Sequence, residues 1–269
     1  MEEVDYIGPA VFWFSALLAF VHWAISLFMT RGKENYTPIN LKHIWTDSLP
    51  FFKTQWHMIA LCTAITFWFE LKPLPEVNDP NFAVGTLLLL FSTSVGYWIL
   101  GLFYVSYLAA PKYPGRIASI GFRSLAMYVT GDMFVMILGL LGTALFVAPG
   151  LLIFVRSCLF LPIFVTHQSN PLIAIKQSWS LTKDKYWLVC RYMGLPTATT
   201  LMAYSLPELA TTLAKSEAQQ ASLAWQAFMF SSAAIAQCCS LTIFGLLYKL
   251  YDRLSTDEQQ TVTQQTVHN

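Results

Sequence analysis

Four ionisable side chains stand inside or at the ends of long apolar runs: His22, Glu70, Asp132 and Arg156. A charge at bilayer depth is costly unless it is paired, hydrogen-bonded or turned toward a cavity. Such residues could form an intramembrane ion pair, hold an anionic headgroup or a substrate, or relay a proton. Arg156 follows Pro149 by seven residues, about 10 Å of helix. Glu70 closes another apolar run at a similar depth, so a Glu70–Arg156 pair is expected. A structural tie is the plainer role for Arg156, and capture of a lipid headgroup or substrate is the sharper one. Asp132 is expected to reach water from the cytoplasmic end of its span. His22, alone in mid-run, is expected to make an interhelical contact rather than to relay protons.

Catalytic signatures are absent. The chain has no H-E-x-x-H, no G-x-S-x-G and no Walker loop, the arrangements that place a metal, a nucleophile or a phosphate cradle. His43, His57 and His167 lack ligand spacing, and no nucleophile stands beside a base. The protein is therefore not expected to be an enzyme, and no catalytic residue, cofactor or metal is assigned. The five cysteines all fall in apolar runs without a C-x-x-C pair, as buried small hydrophobes do.

A second constellation is basic and aromatic. In the segment NPLIAIKQSWSLTKDKYW, Asn170 can cap a helix that starts with Pro171. Leu172, Ile175, Trp179, Thr182 and Tyr186 recur at helical spacing, with Lys176, Gln177, Lys183 and Asp184 elsewhere on the wheel. A helix of this kind lies in the headgroup layer, so Lys176, Trp179, Lys183, Lys185 and Trp187 are the candidate contacts to anionic lipid. Two other segments share the layout: TPINLKHIWTDSLPFF, capped by Thr37 before Pro38, and PGRIASIGFRSLAMY after Pro114. All three carry a Ser-Leu pair, at Ser48, Ser124 and Ser180.

The elements that must position these groups follow from composition. Only 12% of the 269 residues are charged and 55% are hydrophobic, against about 25% charged in soluble domains. The apolar residues come in blocks near the length of about 20 residues that a bilayer core requires. Spans are expected over about 9–29, 54–71, 82–109, 129–148, 149–168, 186–207 and 221–247. Pro149-Gly150 falls where one span must end and the next begin, which makes VAPG a hairpin tip. With the N-terminus outside, twelve Lys and Arg fall on the cytoplasmic side and two, Lys72 and Lys215, on the other, a strong positive-inside bias. The expected fold is an all-α polytopic bundle of six to seven spans with two or three interfacial amphipathic helices on the cytoplasmic side. It forms one transmembrane domain over 1–253, followed by a disordered cytoplasmic tail over 254–269.

Residues 145–187 resemble the YciC-like family of uncharacterised bacterial inner-membrane proteins, a broad group whose pattern also occurs in membrane regions attached to some phosphodiesterases. The likeness is carried by Ala148-Pro149-Gly150, the apolar run ending at Leu161-Pro162, and the polar turn His167 to Asn170. It continues through Ile173-Ala174-Ile175-Lys176-Gln177-Ser178-Trp179, Leu181-Thr182 and Trp187. The resemblance extends loosely over 38–253 and implies an all-helical protein of the bacterial inner membrane. It supplies no catalytic residues. The span within 1–37 departs from the family's six and would put the N-terminus outside, with the C-terminus in the cytoplasm. The expected activity is that of a non-catalytic scaffold, partner subunit or lipid-interacting factor; a small-solute transporter or channel is the alternative. The expected partners are anionic headgroups at the cytoplasmic face and a membrane protein or second copy, not nucleic acid.

Overall fold

The computed structural model describes residues 7–30, 41–70, 82–114, 120–145, 147–167, 170–213 and 223–268. Nine helices and no strand occur among them: α1 (Ile7–Met29), α2 (Leu41–Glu70), α3 (Phe82–Ala109), α4 (Phe122–Leu145), α5 (Val147–Ser157), α6 (Phe160–His167), α7 (Pro171–Thr182), α8 (Tyr186–Leu213) and α9 (Leu223–His268). Three stretches among the described residues are long and apolar enough to cross a membrane: Phe122–Thr143, Ala148–His167 and Trp225–Thr256. Ala16–Met29 and Gly96–Ala109 are shorter apolar stretches. The described residues thus carry three such helices rather than the six or seven expected.

Phe134, Ile137, Leu138, Leu141 and Leu145 form an exposed apolar stripe along α4, and Phe14, Leu17, Val21, Ile25 and Phe28 form another along α1. Soluble monomers rarely carry so much continuous apolar surface, and lipid accommodates it. The core lies where α3, α6 and α9 meet, around Trp98, Tyr104, Phe160, Phe164, Phe244 and Leu250. α6 is its centre, with every residue from Phe160 to Thr166 buried. α1 stands outside this core and packs along α8, where Gly194 lets the Trp23 side chain and the Ala19 carbonyl approach closely.

Several elements differ from the sequence pattern for identifiable reasons. α2 joins the amphipathic segment and the following span into one kinked helix, with the bend at Gln55 (φ −113°, ψ 19°) after Pro50, whose ring removes a backbone donor. Its capping pair Thr37-Pro38 lies outside the described residues. The third amphipathic segment is no separate helix, since α4 runs unbroken from Phe122 to Leu145. Its residues 115–119 lie outside the described set. α9 stays helical through His268, over the segment expected as a disordered tail. Extension of a helix already held by a buried segment avoids the nucleation cost that a free tail would meet. At 46 residues, α9 is about 69 Å long, and its end must project beyond any bilayer.

One turn of α9 gathers three other elements. Lys249 pairs with Asp47 of α2 at 2.9 Å, and Asp252 with Lys112, just after α3, at 2.6 Å. The Tyr251 hydroxyl accepts from the Thr166 hydroxyl at 3.1 Å and meets His167 Nε2 at 2.9 Å, both at the end of α6. The hydrogen bond that Lys112 donates to Asp252, with the charge of that carboxylate, outweighs the small desolvation and holds the Lys112 ammonium above its usual range. That contribution is full at neutral pH and is lost only as the pH rises through the raised value. Both members of the pair are 40–50% exposed, so Lys112→Ala should change stability by less than about 1 kcal/mol in thermal unfolding of the detergent-solubilised protein.

Candidate functional site

The site begins with a proline. Pro162 has no N–H, and its ring crowds the carbonyl of Cys158 four residues earlier. The helix consequently breaks, α5 ending at Ser157 and α6 starting at Phe160. A break inside an apolar span leaves backbone groups that must find partners within the protein. They find them on α7. Ser178 donates its hydroxyl to the Arg156 carbonyl at 2.6 Å and accepts the Leu159 N–H at 3.2 Å. The Thr182 hydroxyl reaches the same carbonyl at 3.3 Å, and the Trp179 indole N–H donates to Ser157 Oγ at 2.9 Å.

The local sequence makes α7 suited to this. Asn170 caps it, accepting the Leu172 N–H at 3.0 Å, with Pro171 in the first turn. Ala174, Ser178 and Thr182 recur every four residues, are all fully buried, and let the helix lie close against the break. This small-residue stripe is the face that meets the break; of the Leu172–Tyr186 series, Thr182 belongs to it and Ile175 packs against the core. Leu172 and Ile173 are exposed, as are Lys176 and Lys183. The Ser-Leu repeat has no common structural meaning, since Ser48 is buried, Ser124 half-buried and Ser180 exposed. Ser48 bonds the Tyr104 hydroxyl from the buried Ile44–Ser48–Phe51 face of α2.

Arg156 sits beside this dock. Its guanidinium lies 5.7 Å from the Trp179 ring centroid, and its Nε is buried with no hydrogen-bond partner among the described residues. The Glu70 side chain lies outside the described residues. The helices carrying the expected pair have different neighbours: α2 packs on α3 and α9, and α5 on α4, α7 and α8. Of the other candidates, Lys185 precedes the first turn of α8, where its carbonyl accepts the Val189 N–H at 3.0 Å. Trp187 stacks on His22 across the α1–α8 contact, with centroids 6.5 Å apart. His22 also bonds the Leu18 carbonyl of its own helix at 2.9 Å.

Asp132 stands apart from that cluster. α4 begins at Phe122, ten residues earlier than Asp132 in sequence and about 15 Å along the helix, so Asp132 lies well inside it rather than at its start. The buried Trp98 donates its indole N–H to Asp132 Oδ2 at 2.6 Å. Removing that donor strands a carboxylate, so Trp98→Phe should cost about 2–3 kcal/mol. Asp132→Asn keeps an acceptor in place and should stay within about 1 kcal/mol. Thermal unfolding of the two variants in detergent compares them; equal losses would contradict the bond.

Sequence reasoning missed Ser178, Trp98 and Tyr251. The four-residue spacing of Ala174, Ser178 and Thr182 was a readable signal for the first, whereas nothing local marks Trp98 or Tyr251. No group of three or more His, Cys, Asp or Glu among the described residues could hold a metal. Comparison of the chain with protein-family models, with curated proteins and with solved structures finds no match. Fold and site together define a protein that is all-helical over its described residues, with three helices among them able to cross a membrane, consistent with a membrane protein.

Proposed function

We propose that this chain is a multi-pass protein of the bacterial inner membrane, non-catalytic, acting as a lipid-interacting scaffold or partner subunit at the cytoplasmic face. On this reading six to seven spans cross the bilayer, with α7 and the first half of α2 as interfacial helices and the C-terminus cytoplasmic. The carrying observation is the outward face of α7. With Ala174, Ser178 and Thr182 committed to the break, Leu172, Lys176 and Lys183 stay exposed beside Trp179, the mixture that suits an anionic headgroup layer. The likeness of residues 145–187 to the YciC-like family supports the same compartment. A discontinuous span also suits a small-solute transporter, which the α5–α6 break favours as the second reading. In this protein, however, α7 already fills the break.

Cysteine scanning tests the arrangement. In a background with the native cysteines replaced, Lys176→Cys should react with an impermeant thiol reagent only when the cytoplasmic face is open. An environment-sensitive probe on that cysteine should report deeper burial as the anionic lipid fraction of proteoliposomes rises. Labelling from the periplasm sinks the orientation, and indifference to lipid charge sinks the interfacial role.

A further inference from the structure

We infer that Arg156, Lys176 and Lys183 bind the phosphate of one acidic phospholipid, with Trp179 as the wall of the site. The inference rests on the interfacial placement of α7 and names the ligand of that face. Arg156 is the fixed element. Its carbonyl is held by Ser178, its guanidinium lies along the Trp179 ring, and that ring is pinned in turn by Ser157. The buried Nε has no acceptor among the described residues, although a buried guanidinium donor normally has one. Phosphate oxygens accept two parallel hydrogen bonds from the planar guanidinium fork.

Two further cations complete the site. Lys176 and Trp179 lie three residues apart on α7, and Lys183, its C-cap residue, keeps helical backbone angles and so falls on the same face; both lysines are exposed. The ion pairs found among the described residues involve none of the three cations. Three unpaired cations favour a headgroup with net negative charge and disfavour one that brings its own amine. The acyl chains have a path as well: Leu172 on α7 and Leu152 on α5, one turn before Arg156, are both exposed apolar side chains.

The full-length protein in nanodiscs made of equal parts phosphatidylcholine and phosphatidylglycerol, then washed in mild detergent, tests this by native mass spectrometry of retained lipid. Wild type should keep one phosphatidylglycerol in preference to phosphatidylcholine. Arg156→Gln should lower its retention about tenfold, and Arg156→Lys, which keeps the charge but loses the Nε donor, should fall between. The Lys176→Gln/Lys183→Gln pair, altered only at exposed positions, should weaken retention even if Arg156→Gln folds poorly. Lys185→Gln, outside the face, should not change it. Equal retention of both lipids, or undiminished retention in the Arg156 and double-lysine variants, overturns the inference. So does displacement of the lipid by inorganic phosphate, which would mark a soluble anion as the ligand. The probe at position 176 reports the interfacial reading separately, because it follows the depth of α7 whether or not a lipid is retained at Arg156.

Discussion

Replacing Ser178 by valine should destabilise the protein by about 2–4 kcal/mol and open the α5–α6 break to thiol reagents. The change removes one hydroxyl that serves two backbone groups, the Arg156 carbonyl and the Leu159 N–H. Neither group has water available in an apolar span, and each unsatisfied group costs about 1–3 kcal/mol. Thr182 still reaches the Arg156 carbonyl at 3.3 Å, so part of the loss is recovered there, whereas the Leu159 N–H is stranded. Valine also adds bulk at a fully buried position, so Ser178→Ala, which removes the hydroxyl without adding volume, should reproduce most of the loss if hydrogen bonding carries it. Ser180→Val is the matched control: the same substitution on the same helix, two residues on, at an exposed position. The native Cys158, beside the break, is the reporter; its reaction with a thiol dye in detergent should accelerate in Ser178→Val and stay at the wild-type rate in Ser180→Val. Equal rates in the two variants would show that α7 does not close the break.

Gly150→Ala should be comparably damaging for a steric reason. A Cβ at Gly150 would lie 1.9 Å from Thr143 Oγ1, 2.6 Å from Thr143 N and 2.8 Å from the Gly139 carbonyl oxygen. The hydroxyl could turn away, but the two backbone atoms cannot, so α4 and α5 would have to separate. Gly139 and Gly142 face the same contact, Gly139 against the Phe154 ring and Gly142 against Gly150. In lipid, helix pairs are held by such close backbone approach, with no hydrophobic expulsion from water to replace it. A cost of about 2–4 kcal/mol follows from overpacking, read as a lowered unfolding temperature. Truncating Thr143 to alanine should not rescue it, because the clashing backbone remains. Gly121→Ala, with nothing within 4 Å of the added carbon, should stay within about 0.5 kcal/mol of wild type.

Much of the helical layout was legible because it rests on local composition. The seven apolar stretches read from the sequence are helical over most of their described residues, although 149–168 is divided between α5 and α6 and 129–148 runs past the end of α4 into α5; the Asn170-Pro171 start of α7 is visible in the sequence as a capping signal. The return of the chain was legible but displaced: Val147 to Gly150, read as the tip, form the first turn of α5, which packs directly against α4. The reading was weaker where a residue's partner is distant in sequence. The expected partner of Arg156, the Glu70 side chain, lies outside the described residues; the contacts of Arg156 that the sequence does not show are with α7, where Ser178 and Thr182 bond its carbonyl and Trp179 lies beside its guanidinium. Asp132 looked like a residue at a helix end because the start of α4 was set too late; its indole donor is 34 residues away.

The sequence by itself determined that the chain is helical, that its apolar blocks suit lipid, and that α7 carries lysines and a tryptophan. These properties are periodic or additive along a few turns. Only the tertiary structure decided which face of α7 turns inward, because that depended on where another helix lost its own hydrogen bonds. Polar groups freed by one proline recruit hydroxyls from about twenty residues further along the chain, and their geometry is set in three dimensions, where water is excluded.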